Sequence, residues 1–391
     1  RTKAVQGRGR AALLAAALLG FLYWVHGSAL AVGTFFVDGA NPGCSNTGPG
    51  TEETPYCTIG AAAKARGGPG TTLLVKPAIY RERIDVTASG AAGSPFVFQA
   101  LGPGVVLDGA DDFASPALWT PFAGPVYVAA SVTSAPQQVF VDGARLAPST
   151  AAPADLPPNT FRHVLGEGLY VNLGGDNPGD HQTLVGRRAN GFYVSGRAFV
   201  TIDGFTVTRA EDKGIYVRNL SNNTTVTHNT VTFSRHYGIG VSNCSDVLVG
   251  SNVVSDTGDH GLAVTAGSTR VTVQDNEVFR SIDPAVRRAN GINLSASPNN
   301  LVQRNRVYDN QDSGIQFQQS SPNTISLQNR SSNNGDHGFE HLQSTGAIHV
   351  GDVANGNFRH GFSVDGGSTG TQIFNSIAVN NGLTGEGFDL L

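Results

Sequence analysis

A glycine opens a short apolar alternation eight times in the second half of the chain. The segments are Gly214-Ile-Tyr-Val, Gly238-Ile-Gly-Val, Gly261-Leu-Ala-Val, Gly291-Ile-Asn-Leu, Gly314-Ile-Gln-Phe, Gly338-Phe-Glu-His, Gly361-Phe-Ser-Val and Gly387-Phe-Asp-Leu. Successive glycines stand 23 or 24 residues apart, apart from one spacing of 30 and a last one of 26. Fixed self-similarity at this period marks a repeat architecture. Each unit holds runs of three to five residues with period-two alternation, which are strands and not helices. A unit of this length is one rung of a solenoid, and successive rungs pair in parallel about 4.8 Å apart.

The columns follow from that stacking. Ile215, Ile239, Leu262, Ile292, Ile315, Phe339 and Phe362 are expected to stack inward. Tyr216, Gly240, Ala263, Asn293, Gln316, Glu340 and Ser363 are expected to point outward. A second column, Asn229, Asn252, Asn276, Asn305 and Asn329, is expected to form an inward ladder of amide hydrogen bonds at a corner. The repeated glycine suits a corner that needs positive φ or a close backbone approach. Leucine-rich repeats share the length but need Leu at fixed offsets, and a propeller needs blades of about 40 residues. The fold class read from this pattern is all-β, a parallel β-helix.

The front of the chain carries further segments: Thr34-Phe-Phe-Val-Asp-Gly, Pro55-Tyr-Cys-Thr-Ile-Gly-Ala-Ala-Ala, Gly70-Thr-Thr-Leu-Leu-Val, Ala78-Ile-Tyr-Arg-Glu, Ser89-Gly and Val106-Leu-Asp-Gly. With these the chain resembles the right-handed parallel β-helix superfamily, and its N-terminal region resembles pectate lyase family nine-type proteins. The resemblance spans roughly residues 33–110 and 190–391. It implies a short helix capping the open end of the solenoid, and 58–65 suits that role with Thr58 as N-cap. It also implies Ca²⁺ held by Asp residues and a Lys base, yet only Lys213 lies in the repeat.

Four regions are expected. Residues 1–31 read as a signal peptide: Arg1, Lys3, Arg8 and Arg10 precede an apolar run, and Ala29-Leu-Ala fits a cleavage site. Residues 32–110 hold the cap and first rungs. Residues 111–190, rich in Pro and Ala, break the period and read as an inserted antiparallel β module walling a cleft. Residues 191–391 are the repeats. The protein is thus expected outside the cytoplasm, secreted or periplasmic, as a monomer with no membrane contact after signal cleavage. Cys44 and Cys57 bracket a turn-rich loop, and in an exported chain they read as a disulfide. Cys244 stands alone and reads as a small buried residue. Lys+Arg total 26 against Asp+Glu 30, a net charge of -4 that is no footprint for nucleic acid.

Charged residues make up only 14% of the chain, yet they gather beside the glycine column. The two residues before each glycine include Asp212-Lys213, His236-Tyr237, Asp259-His260, Asp312-Ser313, Asp336-His337 and Arg359-His360. The long rung adds Arg287 and Arg288. The candidate site is therefore Asp259, His260, Arg287, Arg288, Asp312, Asp336, His337 and Glu340, with Asp312 and Asp336 as calcium ligands and no organic cofactor. His341 falls on an inward position and reads either as hydrogen-bonded structure or as part of a site. The expected substrate is an acidic, uronate-containing polysaccharide cleaved by β-elimination, with His260, His337 or an Arg in place of the Lys base. Two alternatives remain. One is glycoside hydrolysis by paired carboxylates, where Asp312 and Asp336 on adjacent rungs suit retention and Asp336 and Glu340 on one rung suit inversion. The other is a non-catalytic carbohydrate-binding or periplasmic accessory role.

Overall fold

A computed structural model describes residues 33–382. The signal-peptide reading and Gly387 lie outside the described residues. Three parallel sheets of 11, 10 and 9 strands wind about one axis as a right-handed β-helix. The first sheet runs from Gly33–Val37 to Gln372–Phe374, the second from Ala78–Tyr80 to Ile377–Val379, and the third from Ile84–Asp85 to Phe362–Asp365. The third sheet carries the glycine-led strands. Its register aligns Ile215 with Ile239, Ile239 with Leu262, Leu262 with Ile292, Ile292 with Ile315, Ile315 with Phe339, and Phe339 with Phe362. All seven are buried in one continuous core. Alternation therefore sends Tyr216, Gln316 and Glu340 to the outer face.

The repeated glycines are needed for close approach and not for a left-handed backbone. A Cβ on Gly238 would lie 2.3 Å from Val254 Cγ1 and 2.9 Å from the Gly261 carbonyl oxygen. At Gly261 the same distances, to Val278 Cγ1 and the Gly291 oxygen, are 2.3 and 2.8 Å. Left-handed residues stand at another corner, immediately before the ladder asparagines: His228, Ser251, Asp275, Arg304 and Gln328, with φ between 52° and 56°. That bend turns the next side chain into the core. The expected ladder forms there. Each amide donates to the next, from Asn229 Nδ2 to Asn252 Oδ1 at 3.1 Å through to Asn305 Nδ2 to Asn329 Oδ1 at 2.9 Å. A shorter ladder runs beside it, through Asn310, Asn334, Asn357 and Asn381.

The helix Ile59–Arg66 packs on the first rungs, with Thr58 Oγ1 accepting from the Ala61 N–H. A disulfide joins Cys44 to Cys57, and Cys244 is free and buried. Between the second-sheet strand Val105–Asp108 and the third-sheet strand Asn190–Ser195 the chain leaves the solenoid. It builds a four-stranded and a five-stranded sheet, mostly antiparallel, over their own core around Trp119, Val139, Phe161 and Val185. This module springs from the corner between the second and third sheets. In later rungs that same corner bears the ionisable pairs.

Candidate active site

The candidate site lies on the outer face of the third sheet, beside the ionisable corner. Gly240, Ala263, Asn293 and Gln316 point outward and are nevertheless buried. At Gly240 the reason is visible: an added Cβ would meet the Tyr216 and Tyr237 rings at 3.2 and 3.4 Å. Lys213 Nζ sits 4.7 Å over Tyr216 and 5.3 Å over Tyr237, held by Asp212 at 2.8 Å. Tyr237 in turn stacks on His260, with ring centroids 5.4 Å apart. This face thus has an aromatic half, and its acidic half begins at the long rung.

The excursion of that rung, 281–290, carries two arginines that reach in opposite directions along the axis. Arg288 turns back, with Nε 2.7 Å from Asp283 Oδ2 and Nη2 3.3 Å from Asp259 Oδ2. Arg287 leans forward over the following rungs. Its Nη2 lies 3.1 Å from Asp312 Oδ1 and 2.7 Å from Asp336 Oδ2, and donates to the Gly335 carbonyl at 2.8 Å. The eight residues expected at the site therefore fall into two clusters joined by one loop. Asp259, His260 and Arg288 form the first; Arg287, Asp312, Asp336, His337 and Glu340 form the second.

In the second cluster, Glu340 Oε2 accepts from Ser313 Oγ at 2.6 Å and from Gln316 Nε2 at 2.7 Å. Gln316 is held in turn by Asn290 Nδ2, which donates to its Oε1 at 2.8 Å. Both donors thus fall on one Glu340 oxygen. Burial pushes the Glu340 carboxyl above the usual carboxylate range against those two bonds, with Asp312 and Asp336 adding to the rise. Burial also raises Asp312, and the neighbouring Asp336 adds to the rise against the pull of Arg287. Asp336 is the best compensated of the three, paired with Arg287 and, through Oδ1, with Arg359 Nε at 3.2 Å. That Oδ1 is buried and within ion-pair distance, yet it makes no aligned hydrogen bond among the described residues.

The two histidines of the site are neutral at pH 7. Burial pulls His260 down to about 4, and its Nδ1 accepts the Asn290 N–H at 3.1 Å. Burial also takes His337 down to about 4; its Nδ1 accepts from the His360 N–H at 3.3 Å, and the two rings stack. His341 proves to be hydrogen-bonded structure in the core, fully buried, with Nε2 2.8 Å from His349 Nε2. Sequence reasoning missed Asp283, Ser313, Gln316 and Arg359 as members of the site. Gln316 had a signal, since it shares the outward column with Glu340. Arg359 stands in the flanking column, but only the fold shows that it reaches Asp336.

The family described as "Periplasmic copper-binding protein (NosD)" matches residues 173–382, slightly more than half of the chain. The chain belongs to the NosD family. This NosD-family chain superposes on solved β-helices at low identity. One is the complex of XylC with xylose, at TM-score 0.75 and 15% identity, covering 88% of this chain and 70% of that one. A structure described as a glycoside hydrolase gives TM-score 0.55 at 10% identity, covering 92% and 97%. The A-module of Azotobacter vinelandii mannuronan C-5 epimerase AlgE4 gives 0.51 at 12%, covering 81% and 88%. At these identities the likeness shows a shared fold. No curated protein matches the chain by sequence.

Proposed function

We propose that the site binds an extracytoplasmic polysaccharide and hydrolyses a glycosidic bond, with Glu340 as the general acid and Asp336 as its partner carboxyl. The observation that carries this reading is the unequal treatment of neighbouring carboxyls. Glu340 is half-buried and pushed toward its protonated form, while Asp336 is held between two guanidinium groups. A carboxyl biased toward its acid form, with a second carboxyl nearby held by guanidinium groups, is what acid-assisted glycoside cleavage requires. Glu340 Oε1, free of the Ser313 and Gln316 bonds, would carry the proton to the leaving oxygen. The anomeric carbon would then bond to the oxygen of a water, activated by Asp336 or following attack by it.

The sequence alone favoured β-elimination, and that remains the second reading. It is supported by the neutral imidazole of His337 beside Arg287, whose bonds to the described residues all leave from Nη2. A neutral base next to guanidinium N–H groups suits proton abstraction α to a carboxylate. Arg287 also stands against the two carboxylates expected to hold calcium, so in the proposed reaction it supplies the positive charge there. Chelator treatment should therefore leave activity unchanged, and loss of activity with chelator would return calcium to the site.

Copper, implied by the family description, does not fit the described residues. No group of three or more His, Cys, Asp or Glu among them is placed to hold a metal ion. The chain has no Met, and its free Cys244 is buried. No step is routed through it. An extracytoplasmic location is supported by the Cys44–Cys57 disulfide and by the family's periplasmic description. Among the described residues no helix is long and apolar enough to cross a membrane.

The test is release of reducing ends from xylan, pectate and alginate by the purified full chain. Wild type should cleave at least one of them, and Asp336→Asn and Glu340→Gln should not. Full activity in both variants, with circular dichroism unchanged, sinks the assignment.

A further inference from the structure

A second cavity, of about 350 Å³, lies where the inserted module, the rung corners and the 281–290 excursion meet. Its walls are apolar, with Leu146 and Pro148 from the module, Phe233 from a corner, and Ile282 and Pro284 from the excursion. Two arginines border it, and their circumstances differ. Arg280 is neutralised by Asp256 through two bonds of 2.7 and 2.8 Å. Arg145 has no carboxylate partner among the described residues. Its Nη2 donates to the Asp256 carbonyl at 3.1 Å, and its Nε is buried without a partner. Its guanidinium lies 5.6 and 5.9 Å from the Phe140 and Phe233 rings. Burial and the nearby cation Arg235 pull its pKa down to about 10, against the opposing pull of the Asp256 carboxylate. A half-buried guanidinium with no carboxylate of the described residues within ion-pair distance, and with Asp256 already committed to Arg280, is under-compensated, and an incoming anion would offset that cost.

We propose that this cavity binds a small organic anion with an apolar body, such as an aryl or alkyl carboxylate or sulfonate. The anionic head pairs with Arg145, and the body lies against Leu146, Phe233 and Ile282. A volume of this size is ordinary for a small-molecule site, and such sites combine apolar walls with few polar anchors. A guanidinium donates to a carboxylate or sulfonate through two parallel N–H groups. The excursion that supplies Ile282 also carries Arg287 and Arg288, so the ligand touches the segment that arms the candidate site. The site is separate from the hydrolytic reading, and either can fail without the other.

The experiment is a fluorescence titration of the full chain with 8-anilinonaphthalene-1-sulfonate. A neutral probe of the same shape, N-phenyl-1-naphthylamine, is titrated alongside. Wild type should bind the sulfonate saturably at one site, and the neutral probe roughly tenfold more weakly or worse. Arg145→Met, which keeps the stem and removes the charge, should weaken the sulfonate by a similar factor. Arg145 also touches the solenoid, so Ile282→Glu is the second variant. Its side chain is 51% exposed, and a carboxylate there repels the anion without disturbing the core. Equal affinity for the two probes, unchanged sulfonate affinity in Ile282→Glu, or no saturable binding in wild type overturns the proposal.

Discussion

Gly261 and Glu340 show how single residues divide the work of fold and site. Gly261 packs against the next strand so closely that a methyl group has no room, with Val278 Cγ1 at 2.3 Å and backbone oxygen at 2.8 Å. Overpacking of this kind costs roughly 1–3 kcal/mol. Gly261→Ala should therefore lower the urea midpoint by the equivalent, with the β-sheet spectrum retained; an unchanged midpoint would show that the rungs are free to part. Glu340 stores its cost in the opposite sense. Its folded pKa lies above the unfolded value of 4.5. Its contribution to stability is thus present below about pH 4.5 and lost as pH rises through the folded value. Glu340→Gln should be at least as stable as wild type at pH 7, while activity falls roughly 10²- to 10⁴-fold. Wild-type activity should decline as pH rises through the folded pKa of Glu340. Loss of activity with a large loss of stability would make Glu340 a structural residue instead.

At the scale of elements, the asparagine ladder ends in an unexpected way. Asn329 donates its N–H and Nδ2 to Asp352 Oδ1 at 2.7 and 3.1 Å. Asp352 Oδ2 accepts from His349 Nδ1 at 2.7 Å, and His349 Nε2 then accepts from His341. His341 stacks on Phe317, and its Nδ1 is left buried without a partner. Burial holds the His341 pKa well below 6.5, with His349 adding to the shift. The unfolded chain therefore binds a proton below pH 6.5 that the folded chain refuses, and stability falls as pH drops. Between pH 7 and pH 5 the wild type should lose up to about 2 kcal/mol more than His341→Phe. Parallel pH profiles of the unfolding midpoint in the two proteins would contradict this. The ladder itself was legible from the sequence because Asn recurs at the rung period. Its terminus was not, because Asp352 continues the column with a different residue. Likewise His349 stands where Val273 and Val302 stand in earlier rungs. A polar group replacing an apolar one reveals its partner only once the rungs are stacked.

For the whole molecule, the solenoid supplies a ruler, and two excursions depart from it. The repeat made the parallel sheets and the ionisable column readable, since stacking follows from period alone. It could not show that Arg287 and Arg288 part to serve different rungs, because a loop's reach depends on where its neighbours hold it. Nor could it show how the inserted module seats. The module is held by Glu211, which accepts the Gln137 and Gln138 N–H groups, and by Gln138 Nε2, which donates to the Ala210 and Phe233 carbonyls. Replacing Glu211 and Gln138 together with Ala removes all four bonds. Limited proteolysis of that double variant should cut within 110–186 while the solenoid survives; cleavage spreading through the repeats would mean that the solenoid leans on the module. The central claim is that the site breaks its polymer with water. It is tested most directly by digestion in ¹⁸O-water, with mass spectrometry of the fragments. Hydrolysis predicts one labelled oxygen gained at each cleavage, and none released in Glu340→Gln. Fragments whose masses sum to that of the uncleaved polymer, without label, would establish elimination and contradict the account.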